Sequence, residues 1–229
     1  MKVICSSDDI RKGVRALRRR CPVIAKIHAR NGDPPLRRHP ADIAGLARII
    51  VGQQLSIASA AAIWARVEQS LGDVSADRLA RVRAETLKSA GLSTPKIRAL
   101  KALAEAVRRD GLDLAALQKA SDDDVHAALT AVSGIGPWTA DIFIMFCLGR
   151  ADAWAAGDLA LQVGVARAFD LGERLSAEEA SKVAERWRPW RGVAARLIWA
   201  DYANLRRSGS GDPLALKLDT PARKRTLRD

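Results

Sequence analysis

Cysteine is scarce in this chain of 229 residues: there are three, Cys5, Cys21 and Cys147, far apart and without a CxxC pair. That excludes a tetracysteine zinc site or a four-cysteine iron–sulfur cluster built from them. An odd number, with an opening "MKVICSSDDIRKG" that becomes charged too early for a secretory signal, points to the reducing cytoplasm. Long apolar runs are also missing. None approaches the roughly 18–20 residues that a transmembrane helix requires, so no membrane partner is expected. Tyrosine and phenylalanine are rare, and β-branched residues are sparse beside Ala and Leu, which argues for an all-α fold. Acidic residues are outnumbered 26 to 38 by Lys and Arg, leaving a net charge of +12 and a pI near 10.3. Such an excess usually means a polyanionic partner, most often nucleic acid. Arginines solvated on helix faces would give the same count.

The chain is long enough for one large domain or two lobes with a sizeable core. Residues 1–30 read as one or two helical pieces rich in arginine. "NGDPPLRRHP" (31–40) is a loop, because its breakers interrupt any periodicity. Asp42 can cap a helix bearing Ile43, Leu46, Ile50 and Val51, and "GQQLS" (52–56) interrupts it. The next helix places Ala60, Ile63, Trp64, Val67 and Leu71 on one side and closes at Gly72. Short helices follow Ser75 and occupy "AETLKSAGL". "STPK" (93–96) starts a longer one, and Gly111 ends it. Ser121 and Asp124 resemble a capping box, and Ser176 with Glu179 makes a full one. About ten helices and no strand are predicted. Residues 206–229 are read as a basic tail without periodicity.

The most unusual stretch is "LTAVSGIGPWTADIFIMF" (129–146). A helix running to about Val132, the turn "SGIG", and a second helix from Pro137 to about Leu148 make a helix–hairpin–helix. Two glycines permit positive φ and close approach of another group. The second helix then aims its unpaired N-terminal amides and dipole outwards, where they suit an anion. Glycines in this pattern also serve an ordinary αα-turn. Further on, in "WAAGDLAL", Asp158 precedes an apolar run and reads on spacing alone as an N-cap.

"LTAVSGIGPWTADIFIMFCLGR" with "AGDLALQVGVARAF" resembles the helix–hairpin–helix DNA glycosylases, and within them the 3-methyladenine DNA glycosylase II branch. "RIIVGQQLSIASAAAIWARV", "STPKIRALKALA" and "RWRPWRGVAARLIW" agree, so the resemblance covers about residues 40–202. It implies two helical lobes: 1–41 with 151–205, and 42–150 carrying the hairpin (about 122–148). It also implies an active-site cleft between them. Asp158 would be the catalytic carboxylate. Trp138 and Trp199 match pocket aromatics, and Ile142 stands where an aromatic is common. Trp64 and Trp187, on apolar stripes, read as core. Gln54, or its neighbour Leu55, would fill the gap left by a flipped base, although the glutamines would equally serve to satisfy loop backbone. The hairpin backbone at Gly134, Ile135, Gly136 and Thr139 would hold phosphate. Main-chain oxygens of Thr130, Val132 and Gly134 would bind a monovalent cation, K+ or Na+, and no other cofactor is required.

The partner implied is double-stranded DNA with a damaged base, met by a monomer. The reaction implied is hydrolytic release of alkylated purines such as 3-methyladenine and 7-methylguanine, and of ethenoadenine or hypoxanthine. Family members that also cut the strand carry a lysine where this chain has Trp138, so a monofunctional enzyme is expected. The two rival readings are a non-catalytic helix–hairpin–helix DNA-binding module and a bifunctional glycosylase/lyase.

Overall fold

The computed structural model describes residues 2–207. In chain order the helices are α1 (Ser7–Arg20), α2 (Pro22–Asn31), α3 (Ile43–Gly52), α4 (Ile57–Leu71), α5 (Ala76–Arg81), α6 (Ala84–Ser89) and α7 (Thr94–Arg108). They continue with α8 (Leu114–Leu117), α9 (Asp122–Thr130), α10 (Pro137–Phe146), α11 (Leu159–Ala168), α12 (Ala177–Ala184) and α13 (Arg191–Arg207), with a 3-10 turn at Glu185–Trp187 before the last. Among the described residues there is no β-strand, only an isolated antiparallel bridge between Val3 and Arg150. None of these helices is long and apolar enough to cross a membrane.

Local chemistry sets most of these boundaries. The hydroxyls of Ser6, Ser56, Ser75, Ser121 and Ser176 and the carboxylates of Asp42, Asp113 and Asp158 each accept a backbone N–H in the first turn of the helix they precede. Ser6 with Asp9 and Ser176 with Glu179 complete reciprocal capping boxes. Ser93 precedes α7 but its side chain makes no cap bond. The short α8, which the periodicity did not announce, follows from Asp113, whose carboxylate holds the amides of Ala115 and Ala116. The hairpin helices stop two residues earlier than expected, at Thr130 and Phe146. Helix α13 extends through Arg207, so the chain remains helical where the tail was expected to begin. The rest of that expected tail, 208–229, lies outside the described residues.

The chain divides into two compact units, 38–149 and a second made of 1–37 with the chain from 150 onward. These limits lie at 37/38 and 149/150, where the sequence placed them at 41/42 and 150/151. The second limit falls before Arg150 because Val3 bridges to it and the Ala151 amide donates to the Lys2 carbonyl (3.0 Å). In that unit α2 and α11 both pack on α13 and α1 packs on α2. Ile10, Val14, Leu17, Ile24, Ile27, Leu161, Val165, Val193 and Leu197 form its core. Trp187 is fully buried there against Trp154 and Phe169. In unit 38–149, α3 packs on α4, α7 and α10, and α9 on α10. Leu46, Ile50, Trp64, Val67, Leu100, Leu103, Leu129 and Phe143 are its centre. Each such side chain contributes about 1.5–3 kcal/mol by leaving water. The core assignment of Trp64 and Trp187 thus matches their burial.

Candidate functional site

In unit 38–149 the turn between α9 and α10 uses its two glycines differently. Gly134 has φ +85° and backs onto Ala99 of α7; an added Cβ would lie 2.5 Å from the Ala99 Cβ. It is required by both conformation and packing. Gly136 is the N-cap of α10 with ordinary extended backbone (φ −97°, ψ 176°), and a Cβ there would meet no protein atom within 4 Å. Of the two glycines that permit positive φ, only Gly134 adopts it. Pro137, the first residue of α10, has no N–H to leave unpaired.

Of the four backbone donors named from the resemblance, two are engaged within the hairpin. The Ile135 amide donates to the Val132 carbonyl (3.0 Å) and the Thr139 amide to the Gly136 carbonyl (3.0 Å). The amides of Gly134 and Gly136 donate to no described residue. With no side-chain cap on α10, they mark the end of a helix dipole suited to an anion. Val132 and Gly134 present carbonyls beside the C-terminal end of α9, as does Thr130 within its last turn. The Val132 carbonyl takes the Ile135 amide, and Gln53 Nε2 stands 3.5 Å from the Gly134 carbonyl. Trp138 is half-buried on the first turn of α10, and Ile142, one turn further on the same face, is buried.

The "GQQLS" loop between α3 and α4 lies against this hairpin within the same unit. Gln53 donates from Nε2 to the Thr139 hydroxyl (2.9 Å), a contact across 86 residues. Lys96 of α7 donates from Nζ to the Val51 carbonyl (2.8 Å), closing the C-terminal end of α3. Fixed at these points, the loop exposes Gln54 at φ +56°, an uncommon conformation for a residue with a side chain. Leu55 beside it is 38% exposed and Ile57 68%. Gln53 satisfies structure, while Gln54 is held outward at a conformational cost of about 1–3 kcal/mol. Sequence reasoning did not single out Gln53 or Ile57. An amide beside a predicted gap-filling residue was the only available signal.

Two lysines of this unit, Lys96 and Lys101, are occupied. Lys101 donates to the carbonyls of Ala80 and Val82 at the end of α5, as Lys96 does for α3, and partial burial lowers the pKa of both. Asp141 of α10 is pushed up to about 7 by burial and then by the nearby Asp122 carboxylate. His126 Nε2 lies 3.9 Å from its Oδ1, at the edge of ion-pair range, too far to offset that burial.

In the other unit, Asp158 caps α11. Its Oδ1 accepts the Leu161 amide (3.0 Å) and the indole N–H of Trp199 (2.9 Å). The two residues are 41 apart in sequence. Gly164 brings them together: a Cβ there would lie 2.5 Å from Ile198 Cγ2, so α11 and α13 pack closely and residue 199 reaches the α11 cap. Gln162 steadies the preceding loop by donating to the Ala156 carbonyl (3.0 Å). Asp158 is half-buried, as is Trp199. The cap bond and the indole bond both fall on one oxygen and orient the carboxylate, so capping α11 is compatible with a chemical role. Asp152 is bound in ion pairs with Arg188 and Arg191. Among the described residues no group of three or more His, Cys, Asp or Glu side chains is arranged to hold a metal.

Residues 47–189 match the HhH-GPD superfamily base excision DNA repair protein family. The alkylbase DNA glycosidase-like protein mag2 of Schizosaccharomyces pombe is 27% identical over 185 residues, 78% of this chain and 86% of that protein. The crystal structure of DNA-3-methyladenine glycosidase from Bacillus halodurans superposes with a TM-score of 0.70 at 31% identity, covering 90% of this chain and 95% of that one. The S. pombe 3-methyladenine DNA glycosylase Mag1, in complex with abasic DNA, gives a TM-score of 0.76 at 25% identity over 82% of this chain and 95% of that one.

Proposed function

The chain belongs to the HhH-GPD superfamily of base excision DNA repair proteins, and from that premise we propose that it is a monofunctional DNA glycosylase that hydrolyses the N-glycosidic bond of alkylated purines. The observation that carries this reading is the Asp158 carboxylate, oriented by the Leu161 amide and the Trp199 indole on one oxygen.

The chemistry follows from the leaving group. Alkylation at N3 or N7 makes a purine cationic, so it departs as a neutral base and needs no strong general acid. As the C1′–N bond breaks, positive charge develops on the deoxyribose. A fixed carboxylate stabilises that charge and orients a water, whose hydroxyl adds to C1′ while its other proton is lost to solvent. An abasic site remains.

The base must first leave the duplex stack. Trp138 offers an aromatic face to a cationic base, an attraction of about 0.5–2 kcal/mol. Gln54, or Leu55 beside it, fills the space the base vacates, and the amides of Gly134 and Gly136 hold a backbone phosphate. A monovalent cation held by main-chain oxygens of Thr130, Val132 and Gly134 would supply positive charge beside that phosphate; these carbonyls stand at the negative end of the α9 dipole, which favours a cation. The monofunctional reading rests on Trp138 at the lyase lysine's position and on Lys96 and Lys101 being committed to backbone carbonyls.

The test incubates the protein with duplexes carrying 3-methyladenine, 7-methylguanine, hypoxanthine or ethenoadenine, and measures free base and strand breaks with and without alkali. Base release with breaks only after alkali is expected. No release from any duplex would reject the enzyme reading in favour of a DNA-binding module, and breaks without alkali would reject the monofunctional one. Asp158→Asn retains an oxygen for both hydrogen bonds and removes the charge, so it should stop release while duplex binding persists.

A further inference from the structure

The positive charge of the chain is not where the hairpin is. Residues 38–149, which carry it, hold 13 basic and 12 acidic residues, a net of +1. Residues 1–37 hold ten basic against three acidic residues, a net of +7 out of the chain's +12. Six of those ten lie on α1.

The fold sorts them. Ile10, Val14 and Leu17 turn one face of α1 into the core, which leaves the basic residues on the opposite face. Two are neutralised locally: Arg11 pairs with Asp8, and Lys12 lies 3.4 Å from Asp9. Arg20 donates to the Arg188 carbonyl (2.7 Å). Arg15, Arg18 and Arg19 are exposed, form no ion pair with any described residue, and stand three and four residues apart, hence on one face. With Ala25 of α2 they line an open groove of about 300 Å³. Placing three guanidiniums together is unfavourable without an anion between them. The C-terminal end of the α1 dipole offsets part of that cost at Arg18 and Arg19, in its last turn.

We propose that the groove formed by Arg15, Arg18 and Arg19 is a second DNA-backbone site that binds undamaged duplex through its phosphates. Guanidinium forks match phosphate oxygens, and such contacts carry no sequence or lesion information. The site supplies the salt-dependent attraction that the nearly neutral hairpin unit lacks, and the hairpin positions the duplex for chemistry. The inference rests on duplex DNA being the partner, not on base release.

Affinity for undamaged duplex is measured by fluorescence anisotropy between about 50 and 200 mM salt. Replacing Arg15, Arg18 and Arg19 together by Ala should lower the slope of log K against log salt by about 2–3 and weaken binding at least about tenfold near 0.1 M salt. The corresponding triple Lys variant should restore the slope, since the charge is kept. An unchanged slope in the Ala variant would overturn the proposal, as would a Lys variant no better than the Ala one. Failure of the wild-type protein to release base would reject the glycosylase reading and leave this slope unaffected.

Discussion

The two hairpin glycines, two positions apart, should respond to the same substitution in opposite ways. At Gly134 an alanine meets two obstacles. The φ of +85° is disfavoured for an L residue by about 1–2 kcal/mol. The new Cβ would also lie 2.5 Å from the Ala99 Cβ and 3.1 Å from its Cα, and a residue buried in α7 cannot yield. Overpacking of this kind costs about 1–3 kcal/mol. Gly134→Ala should therefore lose about 2–5 kcal/mol, a fall in Tm of about 5–15 °C for a chain of this size. Gly136→Ala faces neither obstacle, since its φ is −97° and its Cβ would meet no protein atom. Lower unfolded-state entropy favours Ala and the N-cap preference favours Gly, each by under about 1 kcal/mol. Its Tm should stay within a few degrees of wild type. Its duplex affinity should nevertheless fall by about 1–3 kcal/mol, because the new methyl group projects into the open space where a phosphate would approach and holds it off the retained amide, equally for every DNA sequence. Thermal denaturation and anisotropy on the two variants check this. A Gly136→Ala protein as unstable as Gly134→Ala, or one that is stable with undiminished affinity, would refute the hairpin's assignment as a phosphate grip.

Trp199→Phe keeps a ring but removes the N–H donor to Asp158, and should slow single-turnover base release about 10–100-fold with duplex affinity unchanged; an unchanged rate would remove Trp199 from the support of the carboxylate. Asp141, at about 7 in the folded protein, lies above its unfolded value near 4, so its protonated form favours folding. That stabilisation is fully present below about pH 4 and lost as pH rises towards 7. Asp141→Asn should then raise Tm relative to wild type at pH 8 and leave it nearly equal at pH 4, and equal gaps at both pH values would count against the burial effect. Of the three free cysteines only Cys5 is exposed, and burial pushes the Cys147 thiol up to about 12. A thiol reagent should label one cysteine in the native protein and three after denaturation, and labelling of Cys147 before unfolding would show that the α10 end opens.

The sequence by itself determined what local interactions decide. Helix starts at Asp42, Ser75, Ser121 and Ser176 were readable because a cap bonds only two or three residues ahead. The core roles of Trp64 and Trp187 followed from 3.6-residue periodicity, and the family followed from ordered motifs around the hairpin and Asp158. The concentration of charge in residues 1–37 was equally legible; counting over the whole chain concealed it. Tertiary structure alone decided contacts whose partners lie far apart in sequence. Trp199 meets Asp158 only because Gly164 lets α11 and α13 approach, and Gln53 meets Thr139 only once α3 packs on α10. It also decided which glycine must be glycine: Gly134 and Gly136 are identical as letters, and Ala99 distinguishes them. Periodicity and capping report a residue's neighbours within one turn, whereas the orientation of a carboxylate depends on side chains that folding brings from dozens of residues away.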